Sequence, residues 1–122
     1  MKLIDSNILI YAAQPEHADL KKLLQGADVA VSNITRLEVL GYHKITEDQK
    51  KFFNAIFTLV KIIEVDNKVI NKAIEIRQGK NVKVGDAIIA ATAVLNHLEL
   101  VTRNVDDFKH ISAIHITNPL DK

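Results

Sequence analysis

Short β-branched runs alternate with longer stretches of helical period along this whole chain, and that alternation limits the fold more than any other feature. The runs are Lys2 to Ile4, Val29 to Val31, Lys61 to Val65, Glu99 to Thr102 and Ala113 to Thr117. Each is too short to form anything alone, and each is separated from the next by enough residues for a crossover helix. Strands joined in that way pair in parallel, and a parallel sheet needs helices on both faces to cover it. The chain is therefore expected to be α/β, one domain over residues 1–122, with a central parallel sheet of four to five strands.

The intervening segments carry helix punctuation. Ala18 to Gln25 places Leu20, Leu23 and Leu24 on one face and stops at Gly26. Ser32 or Asn33 opens a helix through Ile34, Leu37 and Leu40 that ends near Gly41. Thr46-Glu47-Asp48-Gln49 has the form of a capping box and heads a helix with Phe52, Phe53, Ile56 and Leu59 expected inward. Asp66 or Asn67 caps a helix that runs to about Gly79. Gly85-Asp86 opens a helix, DAIIAATAVL, that is apolar almost all round and so calls for burial on most faces. A further helical turn is expected around Asp106 to His110.

Composition removes several classes of chemistry. With no cysteine among 122 residues there is no disulfide, no thiolate metal site and no cysteine nucleophile, which goes with a cytoplasmic location. The histidines, His17, His43, His97, His110 and His115, show no short metal-binding spacing. Lys2 is followed by only two apolar residues before Asp5, too few for a signal peptide, and no apolar stretch is long enough for a membrane span. A formal net charge of +1 rules out a general polycation, so any nucleic-acid contact has to come from a local basic patch.

In a parallel α/β sheet, ligands sit outside the carboxyl ends of the strands. Reading just past each run picks out Asp5, the Ser32–Glu38 segment, Asp66, and the segment Thr102-Arg103-Asn104 with Asp107. Each acid has an ordinary explanation. Asp5 and Asp86 suit helix N-termini, where an acid stabilises by up to about 1 kcal/mol. Glu38, one turn after Ile34, suits the solvated edge of a helix. The cluster LVTRNVDDF exceeds what a turn needs, since strand ends require only one or two turn formers. Four carboxylates brought into one pocket would repel, and protonation or a cation would relieve them. Oxygen donors without His or Cys favour Mg²⁺ or Mn²⁺ over Zn²⁺.

LIDSNILI, ITRLEVLGY, GDAIIAATA and LVTRNVDDF with a terminal NPL together resemble a PIN domain, and more narrowly the small VapC-type toxins of prokaryotic toxin–antitoxin pairs. The resemblance runs in order over essentially the whole chain. It implies a nuclease site that depends on Mg²⁺ or Mn²⁺, one or two ions, with Asp5, Glu38, Asp86 and Asp107 as catalytic and metal-binding acids. Many relatives have an Asp where this chain has Asn104, and Asp106 is a weaker candidate for the fourth position. The terminal NPL departs from the aromatic residue often found after NP.

Ser6, Asn7 and Asn104 fit supporting roles around the carboxylates, and the cap of the helix after Asp5 then falls to Ser6 or Asn7. Arg36, Lys80, Lys83 and Arg103 are candidate phosphate contacts. The resemblance further implies hydrolysis of RNA phosphodiesters, a cognate antitoxin whose tail covers the site, and a homodimer. Two other readings stand beside it: a PIN-like fold that binds RNA without cutting it, and a receiver-type phosphoacceptor domain. The second lacks an acidic neighbour for Asp5 and a Lys in the last strand, AIHIT.

Overall fold

The computed structural model describes residues 1–120, so residues 121 and 122 of the expected domain lie outside the described residues. Five strands, β1 (Lys2–Ile4), β2 (Val29–Ser32), β3 (Lys61–Ile63), β4 (Glu99–Val101) and β5 (Ile116–Thr117), form one sheet in the order β3-β2-β1-β4-β5. Every pairing is parallel, with Leu3 opposite both Ala30 and Leu100. The outer strands are shorter than the β-branched runs suggest: Glu64 and Val65 leave the sheet, and only two residues of the last run pair. Edge strands have one neighbour, so fewer of their residues gain ladder hydrogen bonds.

Seven helices connect the strands: α1 (Ser6–Ala12), α2 (Ala18–Leu24), α3 (Asn33–Leu40), α4 (Glu47–Leu59), α5 (Asn67–Gly79), α6 (Val84–Asn96) and α7 (Val105–Phe108). A turn of 3₁₀ helix, Pro15–His17, precedes α2. The caps follow the local chemistry at Ser32, Thr46 and Asp66, and the capping box at Thr46 and Gln49 is complete. The cap of α1 does not. Asp5, not Ser6 or Asn7, is the N-cap, and its carboxylate accepts from Ser6 N–H. An extended residue directly after a strand is already in cap geometry, so the first polar side chain takes the position.

Alternation along the strands sorts the core. Ile4, Val29, Val31 and Val101 face one side and pack with residues of α1, α2, α3 and α4. Leu3, Ala30 and Leu100 face the other, against Ile89, Ala90 and Ala93 of α6 and Phe108 of α7. Helix α5 then covers the far side of α6, where Val69 and Ala73 meet Ala87, Ile88 and Ala91. Helix α6 is thus sandwiched between sheet and helix, which is why it is apolar almost all round. Thr92 sits fully buried inside it by donating its hydroxyl to the Ile88 carbonyl at 2.7 Å.

One expected core position, Leu59, is outside at 64% exposed, and Leu37 of α3 is 71% exposed. On α3 the buried pair is Thr35 and Val39. Leu37 lies two residues from each, about 200° around the helix from both. On α4 the inward face is Phe53, Ile56 and Phe57, with Leu59 to its side. Among the described residues no helix is long and apolar enough to cross a membrane.

Candidate active site

The chain builds β1, β2 and β3 outward in one direction, then returns to lay β4 and β5 on the other side of β1. The strand order therefore reverses between β1 and β4, and a crevice opens outside their carboxyl ends. Asp5 is the first residue past β1, and Thr102 is the first past β4. The two are tied twice. Asp5 N–H donates to the Val101 carbonyl at 2.9 Å, and the Thr102 hydroxyl donates to Asp5 Oδ2 at 2.8 Å.

Asp5 is only 6% exposed. Its Oδ1 accepts from Ser6 N–H at 2.8 Å, and Oδ2 also accepts from Asn7 Nδ2 at 3.2 Å. Burial raises the Asp5 carboxyl above the ordinary Asp range, against the lowering effect of the Thr102 and Ser6 donors; the charges of Glu38 and Asp107 raise it further. Asp86, in the first turn of α6, is pushed up to about 6. Burial is the largest cause, followed by the charges of Asp5 and Asp107; Lys83 partly offsets them, and Glu38 adds to them. All four acids expected at the site therefore feel one another, although they come from four separate segments.

Glu38 arrives from the exposed side of α3. Ser6 Oγ donates to its Oε1 at 2.6 Å, and its Oε2 lies over Gly85. A Cβ on Gly85 would stand 3.1 Å from that oxygen, so glycine lets the carboxylate approach the start of α6. Asp107 is in the first turn of α7. It contributes to the charge at Asp5 and Asp86, whereas Asp106 is ion-paired with Lys109 at 3.0 Å. The geometry thus separates the two neighbouring acids and puts Asp107, not Asp106, among the other three.

Asn7 joins the two strand ends: its Nδ2 donates to Asp5 and to Thr102 Oγ1, and its Oδ1 accepts from Arg103 N–H. Asn104 contributes differently from the expected side-chain role. Its backbone N–H donates to Thr102 Oγ1 at 3.1 Å, and its side chain makes no hydrogen bond among the described residues. Lys80 and Lys83 line a concavity with Asp86, Asp106 and Asp107. The Arg103 guanidinium lies 5.2 Å from the Tyr11 ring centroid, and Arg103 shares another concavity with Asp107. Arg36 is spent elsewhere, donating to Asn33 Oδ1 at 3.0 Å.

Thr102 is the residue that site reasoning from sequence passes over. It is fully buried, donates once and accepts from both Asn7 and Asn104. Its signal was present as a hydroxyl directly after a strand, but nothing local distinguishes it from a turn residue. Thr102→Val keeps the shape and strands three polar partners, so a loss of about 1–3 kcal/mol is expected in thermal denaturation. Thr102→Ser, which keeps the hydroxyl, should recover most of that loss.

None of the four acids has an ion-pair partner among the described residues. Among the described residues no group of three or more His, Asp or Glu side chains is arranged to hold a metal ion by itself. Mg²⁺ usually keeps several waters and takes only one or two carboxylates, the rest coming from substrate phosphate.

A family model described as PIN domain matches residues 2–114. Among solved structures, the chain resembles a toxin–antitoxin complex from Klebsiella pneumoniae, at 32% identity and a TM-score of 0.80, covering 98% of both chains. It also resembles FitAcB from Neisseria gonorrhoeae, at 26% identity and a TM-score of 0.80, covering 100% of each. VapBC2 from Rickettsia felis, bound to a DNA fragment from its promoter, shares the fold at 23% identity and a TM-score of 0.78, covering 96% of this chain and 97% of that one. A search of curated protein sequences finds no match.

Proposed function

The chain belongs to the PIN-domain family, and from that premise we propose that it is a Mg²⁺- or Mn²⁺-dependent endoribonuclease, the toxin of a VapBC-type pair. The observation that carries the proposal is that Asp5, Glu38, Asp86 and Asp107 come close enough beside the crevice between β1 and β4 for the charges of the others to raise Asp86, with no ion-pair partner among the described residues. Asp5 is buried and Asp86 half-buried, and both are raised by burial and by neighbouring acids, a cost that a purely structural acid has no need to keep.

When bound, the divalent ion supplies activation of the attacking water and neutralisation of charge on the scissile phosphate. The chain's own residues do the positioning. Asp5 is held by three donors on two oxygens, which leaves lone-pair capacity on Oδ1. Asp86 and Asp107 present their carboxylates from the first turns of α6 and α7. Glu38 is anchored through Oε1 by Ser6, so Oε2 is left to hold an ion or to orient the attacking water and accept its proton.

Partners follow from exposed features. An apolar concavity of about 280 Å³, lined by Ile10, Val39, Tyr42 and Phe53, lies beside Glu38 and would take an apolar side chain from a covering antitoxin segment. Ile70 and Ile74, one turn apart and exposed on α5, offer apolar contact to a second copy in a homodimer. A cytoplasmic site of action goes with an RNA substrate.

The test is cleavage of structured RNA by the purified protein. Cutting should require Mg²⁺ or Mn²⁺ and stop in excess EDTA; full activity in EDTA would overturn the proposal. RNA binding without cleavage under all divalent ions would favour the non-cutting alternative. A receiver-type domain is disfavoured by the order β3-β2-β1-β4-β5, which differs from the 2-1-3-4-5 order of flavodoxin-like sheets.

A further inference from the structure

The concavity beside the acids is lined by both signs of charge: Asp86, Asp106 and Asp107 from α6 and α7, and Arg77, Lys80 and Lys83 from the end of α5 and the segment leading into α6. Its volume is about 640 Å³. Among the described residues none of these three cations is within ion-pairing distance of a carboxylate. Cations meant to neutralise the acids would have closed onto them. Lys83 only moderates Asp86 from a distance, and Asp86 still stands at about 6.

Arg77 is held in place. Its Nε donates to the Val82 carbonyl at 2.9 Å, which ties the end of α5 to the loop and leaves the terminal guanidinium nitrogens without a partner among the described residues. Lys80, His110 and Ile111 also line a second hollow of about 280 Å³, shared with Lys72 and Glu75, which pair with each other at 3.9 Å.

From this we infer that the α5–α6 connection is the seat for the RNA backbone running away from the scissile phosphate, with Lys80 and Lys83 contacting successive phosphates and Arg77 acting as the positioning residue that holds the loop. The inference rests on the nuclease reading of the acidic crevice and extends it to the path of the substrate. A strand laid there places one phosphate at the acids while its neighbours meet unpaired cations, so the two signs of charge serve different parts of one polyanion. The exposed positions of Lys80 and Lys83 make their replacement compatible with folding.

The experiment measures binding of an unpaired RNA oligonucleotide as a function of salt, in an Asp5→Asn background so that the probe survives. Each phosphate contact on a single strand contributes about 0.7 to the slope of log affinity against log salt, so Lys80→Gln with Lys83→Gln should lower it by about 1.4. Lys80→Arg with Lys83→Arg should keep the slope. Lys50→Gln with Lys51→Gln on α4, a helix that lines neither hollow, should also keep it. An unchanged slope in the Lys80/Lys83 glutamine pair overturns the inference, and so does an equal fall in the α4 pair. In parallel, the unsubstituted protein is assayed for cleavage with Mn²⁺. If it cuts while the slope is unchanged, the phosphate seat alone fails. If it does not cut, the nuclease reading fails, and the slope comparison still decides whether these cations bind RNA.

Discussion

Asp5→Asn is expected to lower RNA cleavage by about 10³-fold or more, which is about 4 kcal/mol of barrier, while the protein stays folded. The size follows from where Asp5 sits. It lies at the strand-order reversal, is almost fully buried, and is oriented by Ser6, Asn7 and Thr102. An amide of the same shape still accepts from Ser6 N–H but presents no charge to a divalent ion, and its Nδ2 replaces an oxygen that accepts from Asn7 and Thr102. Burial already disfavours the Asp5 anion and raises its carboxyl, so the neutral isostere removes a cost that offsets those lost bonds. The variant should therefore stay folded without metal, and Mn²⁺ should no longer raise its melting temperature. A variant that cuts RNA at the wild-type rate would remove Asp5 from the site. One that unfolds would return it to the role of an N-cap.

Asp86 gives the second large effect, with a sign that depends on pH. Its carboxyl moves from 3.8 to about 6 in the fold. Between those values the folded protein keeps a proton that the unfolded chain has released, so this group makes stability fall as pH rises through that window. Above about 6 the loss is complete. Allowing for solvent screening, it should be about 1–2 kcal/mol. Asp86→Asn should therefore match wild type near pH 3.8, gain on it up to about pH 6, and stay more stable above that.

A helix N-terminal acid kept only for the α6 dipole predicts the opposite, a variant about 0.3–1 kcal/mol less stable at neutral pH. Thermal denaturation with and without metal separates the two. Saturating Mn²⁺ should stabilise the wild type by about 2.7 kcal/mol at a hundred times Kd. It should do less for the variant, reversing the order at neutral pH. Wild type more stable than Asp86→Asn in EDTA at every pH would mean that Asp86 is structural.

The layout was legible wherever local chemistry and periodicity agreed. The β-branched runs, the capping box at Thr46, the caps at Ser32 and Asp66 and the all-apolar α6 were each readable because short-range geometry decides them. Leu59, expected inward, turned out exposed, because which side of a helix faces the core depends on the neighbour it meets. Local reasoning failed at the α1 cap too, because a ligand role and a cap role looked exclusive for Asp5. The structure gives that carboxylate the cap bond to Ser6 N–H and a place in the acidic crevice together, since a carboxylate has lone pairs enough for both.

Among the site residues, the strand-end rule reached Asp5, Glu38 and Asp107, along with Asp66, which caps α5; Asp86 stood out only as the acid heading the apolar α6. The resemblance made Asp106 the weaker candidate beside Asp107, and in the structure Asp106 pairs with Lys109 while the charge of Asp107 acts on Asp5 and Asp86. Thr102, named only within a strand-end segment, and Gly85, named only as a helix opener, had no legible part in the site for a related reason. One matters through Asp5, 97 residues away in the chain, and the other through Glu38, whose Oε2 would lie 3.1 Å from a Cβ there.

The sequence by itself determined the parallel α/β class, the helix punctuation and the set of acids at strand ends, because those depend on hydrogen bonding and periodicity over a few residues. Tertiary structure alone decided which strand ends adjoin and so which acids share a crevice. It alone brought Arg77 and Lys80 into one concavity with Asp106 and Asp107. Charge interactions fall off with distance, and distance between residues far apart in sequence exists only once the sheet order β3-β2-β1-β4-β5 has been set.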